Sequence, residues 1–395
     1  MKSLSIYLLV LLPVSVLVPW APLAGPINTN DVLPILGGAG ASWLIVSRAG
    51  RDSVRPFPWS VLLALGIAML GAHCIGHWES FGVGVGGRTL GRMLLYAAVG
   101  VGVTSFFQDR EISLLGRVFT VVILSEAGIG VVAVLIGISG PLGLGVVDYP
   151  PGHFPADGWA RAQGTFGGVL PAGEVFVNRA NFYSAYLAIG LFVVADRFAK
   201  RPRFLFPAVS LILLGILASG SRMSLLAALV GLVVFMTFSG QIKTLIAGLG
   251  ISLATLLAYE PVRQRFLNLT TDRFELWGHA LRVTASAPWF GVGDGHYLSA
   301  ARELSQQTSV IHSPHHSILY AAASYGLLVA LGLVALYVAM IWYAFKERKE
   351  QPALLAMTVA FILHDMTNNL FFIPEVALSF WLAWAYFTKK GAARA

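Results

Sequence analysis

The feature that most constrains this chain is a succession of apolar runs, each 15 to 25 residues long, that recurs from one end to the other and is cut by short charged or Gly/Pro-rich stretches. As helices, runs of that length match a hydrocarbon core about 30 Å thick, and a helix satisfies its backbone polar groups without water. With 56% apolar and 12% charged residues and a mean hydropathy of +0.74, the chain carries more apolar surface than a water-soluble fold can bury. The expectation is an all-α polytopic membrane protein, one domain over residues 1–395. About twelve spans are predicted, near 4–23, 32–47, 58–76, 89–107, 114–139, 180–196, 204–219, 222–239, 242–259, 315–345, 352–367 and 372–388.

Lys2, the apolar stretch Leu4 to Val18 and the break at Pro19-Trp20-Ala21-Pro22 resemble a secretory signal, but no A-x-A site follows, so the segment is taken as the first helix. With the N-terminus inside, 17 of the 27 basic residues fall in short inner segments and both termini are cytoplasmic. Orientation in a membrane thus accounts for the net charge of +8 and leaves no case for a nucleic-acid partner. The single cysteine, Cys74, excludes an intramolecular disulfide and a Cys-based zinc site.

Two outer segments are long, 140–179 and 260–313, whereas every inner connection is short, so function is expected outside. In the second, Phe274, Trp277 and Leu281 recur at helical spacing among Arg273, Glu275 and His279, which predicts an amphipathic helix at the membrane interface ending at Pro288. Gly291, Gly293 and Gly295 then form either a plain turn or a phosphate-binding one, and without a preceding strand the plain turn is favoured.

Under this topology all seven lysines are inside, and the ten outer basic residues are all arginine: Arg88, Arg92, Arg161, Arg179, Arg222, Arg263, Arg265, Arg273, Arg282 and Arg302. A guanidinium keeps its charge when desolvated and presents a planar fork suited to phosphate oxygens. The alternative is pairing with outer acids such as Glu174, Asp272 and Glu275. Arg222 stands out because Ser219-Gly220-Ser221-Arg222 interrupts two apolar runs, where a charge requires a partner or a wet cavity. Glu126, in mid-span, and Asp365, near an outer end, are read as structural pairing groups.

All nine histidines fall on or near the outer side, most densely in His312-Ser313-Pro314-His315-His316. Pro314 suits the first turn of a helix, which would place His315 and His316 at its N-terminal end. The cluster has three possible uses: a general base or acceptor-binding group, structural hydrogen bonding, or a metal site, the last unsupported by any carboxylate pattern.

Four stretches together resemble the O-antigen ligase and polymerase superfamily: Arg161-Ala162-Gln163-Gly164-Thr165-Phe166 leading to Asn181; Ser219-Gly220-Ser221-Arg222; Arg273-Phe274-Glu275-Leu276-Trp277 running to Pro288 and Gly291-Val292-Gly293; and His315 with Leu319 and Gly326 beyond it. They span residues 161–326. The family's usual His-Asn pair is a departure here, because His316 occupies the Asn position.

The resemblance implies a fold related to the C-type membrane glycosyltransferases, no metal and no other cofactor, and two substrates: an undecaprenyl diphosphate-linked O-antigen donor and a lipid A core acceptor. It implies His315 as base; Arg161, Arg222, Arg265 and Arg273 as diphosphate ligands; and Gln163, His312 and His316 as further substrate-binding residues. Arg265 rests on position alone. Rival readings are an O-antigen polymerase, a protein O-oligosaccharyltransferase and, outside enzymes, a lipid-linked glycan flippase. The modest outer loops and the 7 residues after the last run favour the lipid A core ligase over a protein-acceptor enzyme.

Overall fold

The computed structural model describes residues 2–17, 22–24, 27–28, 32–48, 59–76, 86–136, 145–147, 161–164, 179–240, 250, 273–293, 295–305 and 313–392. Apart from residue 250, the expected span 242–259 lies outside these residues, as do Arg265, His312, most of the segment 140–179 and part of the segment 260–313. The described chain is overwhelmingly helical: α1 (Lys2–Leu11), α2 (Val32–Arg48), α3 (Trp59–Gly76), α4 (Gly86–Phe106), α5 (Asp109–Ile136), α6 (Ala180–Phe198), α7 (Pro202–Ala218), α8 (Arg222–Ser239), α9 (Arg273–Ser286), α10 (Tyr297–Ser305), α11 (Ser317–Tyr325), α12 (Leu327–Lys346), α13 (Pro352–Asp365) and α14 (Pro374–Ala392). Two small antiparallel hairpins accompany them: β1 (Pro22–Ala24) with β2 (Ile27–Asn28), and β3 (Gly145–Val147) with β4 (Arg161–Gly164).

Helices α5, α8 and α12 are long and apolar enough to cross a membrane, and several shorter apolar helices pack with them, as in a multi-pass membrane protein. Local chemistry sets their ends. The Gln108 amide donates to Glu111 Oε2 at 2.9 Å, half of a capping box that opens α5, and Asp109 and Glu111 face the positive end of its dipole. Pro202 opens α7, where a missing amide hydrogen is harmless. The buried interior is heavily aromatic: Phe361 stacks on Phe380 at 3.9 Å, and Trp381 meets Trp59 edge-on at 5.9 Å.

Three expected boundaries differ. The run 4–23 is not one helix, because α1 ends at Leu11 and a 3-10 stretch, Leu12–Leu17, follows; Pro13 supplies no donor to continue the ladder. The run 315–345 is two helices, α11 and α12, parted at Gly326, whose φ of 90° and ψ of 169° no helix accepts. Pro314 precedes α11 by three residues instead of sitting in its first turn, since α11 begins at Ser317.

The two ends of the helix bundle differ in their cations. At one end, Lys390 of α14 pairs with Asp196 of α6, Arg348 beyond α12 lies over the Phe238 ring of α8 at 5.8 Å, and Gln351 faces Gly391. Arg197, Lys200, Arg201, Arg203, Lys346, Lys349 and Lys389 belong to the same helix ends and turns. Arg161, Arg179, Arg222 and Arg273 gather at the opposite end, where no lysine occurs among the described residues.

Candidate functional site

The arginine-bearing end is built where α6, α8, α9, α11 and α13 meet. Arg161, on β4, is 3% exposed; its Nε donates to the Ser219 carbonyl at 2.5 Å and its Nη2 to Asn181 Oδ1 at 2.8 Å. It ties β4 to the start of α6 and to the α7–α8 turn. Gln163, fully buried, accepts from the Arg179 amide at 3.4 Å, and Arg179 pairs with Glu375 at 3.1 Å. The strand residues thus brace the N-terminal ends of α6 and α14.

Deeper in, a hydroxyl network joins three helices. Ser224 Oγ of α8 lies 2.7 Å from Ser184 Oγ of α6, 2.8 Å from Ser221 Oγ and 3.2 Å from His364 Nε2 of α13. All four side chains are buried. Above this network, Arg273 opens α9 with its Nη1 buried and without a hydrogen-bond partner among the described residues. Burial lowers its pKa, and the like charge of Arg222, first residue of α8, lowers it further. Arg273 also acts electrostatically on His364. Two guanidiniums of like charge, one with a buried Nη1 that has no acceptor among the described residues, have the charge and donors that an anion with several oxygens would satisfy.

The expected alternative, in which the outer arginines pair with nearby acids, applies to Arg179, whose partner Glu375 was not among those anticipated. Glu275 faces His279 instead, at 3.6 Å, and His279 Nδ1 lies 2.8 Å from Arg282 Nη2. Glu174 and Asp272 lie outside the described residues.

The histidine segment is held from three sides. Trp277 Nε1 of α9 donates to the Pro314 carbonyl at 3.0 Å. The Ser317 hydroxyl donates to Asp365 Oδ1 of α13 at 2.6 Å, and Asp365 also accepts from Tyr337 at 2.5 Å and from the Phe371 amide at 2.9 Å. Between these anchors His315, half-buried, takes a φ of 49°, a left-handed conformation that a non-glycine residue adopts only under constraint. His316 is the N-cap of α11: its Nδ1 accepts from the Leu319 amide at 3.5 Å, and its ring meets Trp277 edge-on at 5.6 Å. Asn is among the best N-cap residues, and here a His fills the cap by accepting through Nδ1.

The third restraint is the glycine turn. The amides of Val292 and Gly293 donate to the carbonyls of Ala323 and Ser324 at 2.9 and 3.0 Å, and Leu327 donates to Pro288 at 2.8 Å. These bonds clasp the end of α11 and assign the amides to protein partners, as in a plain structural turn. A Cβ at Gly326 would stand 2.0 Å from the Trp289 carbonyl oxygen, and one at Gly291 would stand 2.3 Å from the Ser324 carbonyl carbon, so only glycine fits at either crossing.

Of the candidate residues, the structure therefore gathers Arg161, Gln163, Arg222 and Arg273 at one end of the bundle and places His315 and His316 in one braced segment. Sequence reasoning missed the Ser184–Ser221–Ser224–His364 network and gave Asn181 no partner. Hydroxyls and an imidazole inside otherwise apolar helices were the available signal, since such groups seek one another in lipid.

Residues 207–334 match the family described as O-antigen ligase. Over 215 residues the chain is 30% identical to an O-antigen ligase of Pseudomonas aeruginosa, an alignment covering 52% of this chain and 51% of that protein. The chain thus spans about half the length of the curated relative it matches. The family match contains Arg222, Arg273, the histidine segment and both crossing glycines, so the part of the chain that is similar to the O-antigen ligase family is the part that carries most of the candidate residues.

Proposed function

We propose that this protein transfers O-antigen polysaccharide from undecaprenyl diphosphate to the lipid A core oligosaccharide at the periplasmic face of the inner membrane. The observation that carries the reading is Arg273, whose buried Nη1 has no acceptor among the described residues and whose charge is opposed by that of Arg222, at the same end of the bundle as His315. In the reaction, the acceptor hydroxyl gives its proton to His315 while its oxygen attacks the anomeric carbon. The bond from that carbon to the diphosphate oxygen breaks, inverting the centre, and the electron pair leaves with the diphosphate. Arg222 and Arg273, with Arg265, stabilise that growing charge in a site shielded from water, so no metal is needed. Arg161 and Gln163 shape the site's wall, and His312 and His316 border the acceptor.

The reading includes a C-type glycosyltransferase architecture of about twelve spans with cytoplasmic termini. Helix α9 suits an interfacial position, because Phe274 and Leu281 are 78% and 58% exposed while His279, Ala280 and Val283 face the protein. In a cysteine-free background, Pro155→Cys and Ser305→Cys should label from outside and Lys200→Cys and Arg348→Cys from inside; reversal at either outer position removes the periplasmic site. The direct test is binding of polyprenyl diphosphate-linked glycan to purified protein. Arg273→Gln should weaken binding by about tenfold or more, the loss expected for a charge-assisted contact. Unchanged affinity would dismiss Arg273 as a diphosphate ligand.

A further inference from the structure

At the end of the bundle away from the proposed site, the turn between α6 and α7 carries an open surface depression of about 450 Å³ lined by Lys200, Arg201, Pro202 and Arg203. No acid neutralises these three cations among the described residues: Asp196, the neighbouring carboxylate on α6, is already paired with Lys390. Arg201 is also the N-cap of α7, so the amides of the first turn of that helix add positive potential to the same place. The walls change character over one turn. Phe198 and Phe204 lie 5.9 Å apart, Arg203 stacks over the Phe204 ring at 4.9 Å, Phe204 is 46% exposed, and the helix continues into apolar Leu205.

An open depression lined by three cations, with an exposed aromatic face beside it at the turn between two apolar helices, has the chemistry of a phospholipid headgroup site. The cations meet the phosphate while the rings lie along the upper acyl chain. We infer that the α6–α7 turn binds an anionic phospholipid, such as phosphatidylglycerol or cardiolipin, from the leaflet opposite the proposed glycan-transfer site. Free phosphate shares the charge but not the chain, and it lacks what Phe198 and Phe204 offer. The site is independent of the transfer reaction and stands or falls without it.

The general attraction of inner-loop cations for a negative leaflet is the effect to be separated. The α12–α13 turn provides the control, because Lys346, Arg348 and Lys349 bring the same number of cations to the same end of the bundle. Full-length protein, purified in a zwitterionic detergent, is offered phosphatidylglycerol, cardiolipin, phosphatidylcholine or inorganic phosphate, and retained adducts are counted by native mass spectrometry. The native protein should retain the two anionic lipids in preference to phosphatidylcholine and phosphate. The triple variant Lys200→Gln/Arg201→Gln/Arg203→Gln should lose about tenfold or more of that retention, and Lys346→Gln/Arg348→Gln/Lys349→Gln should keep most of it. Arg203→Gln alone should show a smaller loss in the same direction, which keeps the test decisive if the triple variant folds poorly. Equal losses from both triple variants, retention unchanged in Arg203→Gln, or phosphate held as well as lipid would overturn the inference.

Discussion

The Ser317 hydroxyl donates to Asp365 Oδ1 at 2.6 Å, which fixes the residue two positions after His315 to the C-terminal end of α13. Because the same carboxylate takes the Tyr337 hydroxyl and the Phe371 amide, it organises α11, α12 and the turn into α14 at once. Asp365 is fully buried with all three donors, so the pairing role expected for it is also what its surroundings permit.

Removing that acceptor leaves three donors unsatisfied in a buried place. Asp365→Ala should lower stability by about 3 kcal/mol or more, at 1–3 kcal/mol per abandoned group. Ser317→Ala, which removes one donor and keeps the acceptor, should cost far less. Thermal unfolding in detergent measures both, and equal effects would show that Asp365 is not the hub of the network.

His316 caps a helix, and its replacement should behave accordingly. His316→Ala should cost about 1 kcal/mol, whereas His316→Asn, which restores a capping oxygen, should cost little and retain activity. Burial holds the His316 pKa below the ordinary imidazole value. A depressed folded pKa gives stability that is present above the unfolded pKa and lost as pH falls through the folded one. The pH dependence of unfolding should therefore flatten on the acid side in His316→Asn. An unchanged acid limb would contradict capping by the neutral ring.

Guanidinium geometry, as distinct from charge, is tested at two arginines on opposite ends of the bundle. Arg222→Lys keeps the charge but loses the planar fork and should impair transfer by about tenfold or more, whereas Arg348→Lys should leave it near native. Quantified transfer product from membranes with matched protein levels decides this, and a harmless Arg222→Lys would reduce Arg222 to a bulk charge.

The apolar runs announced the helices because lipid leaves the backbone no other partner, and the segregation of lysine from arginine announced the two ends. The break at Gly326 was not legible: its cause is the carbonyl of Trp289, which arrives from 37 positions earlier in the chain and leaves no mark on the local apolar pattern. Arg161 shows a similar limit. Its residue type suggested a ligand, yet its Nε and Nη2 go to Ser219 and Asn181, which is decided by the way β4 packs across two helix ends. Which histidine caps α11 depended on where that helix begins, three residues later than Pro314 suggested. Types of group were thus readable in sequence, and their partners were not.

The central claim is that His315 activates an acceptor hydroxyl against a donor held by arginine. Its most direct test is transfer by purified native protein and His315→Ala, each given polyprenyl diphosphate-linked glycan and lipid A core in excess EDTA. The native protein should form product despite chelation, since guanidinium charge stands where a divalent ion stands in metal-assisted transfer. His315→Ala should bind donor with near-native affinity and turn over about 100-fold more slowly or worse, the contribution typical of a general base. Full activity in His315→Ala, or native activity that returns only with added magnesium or manganese, would contradict the account.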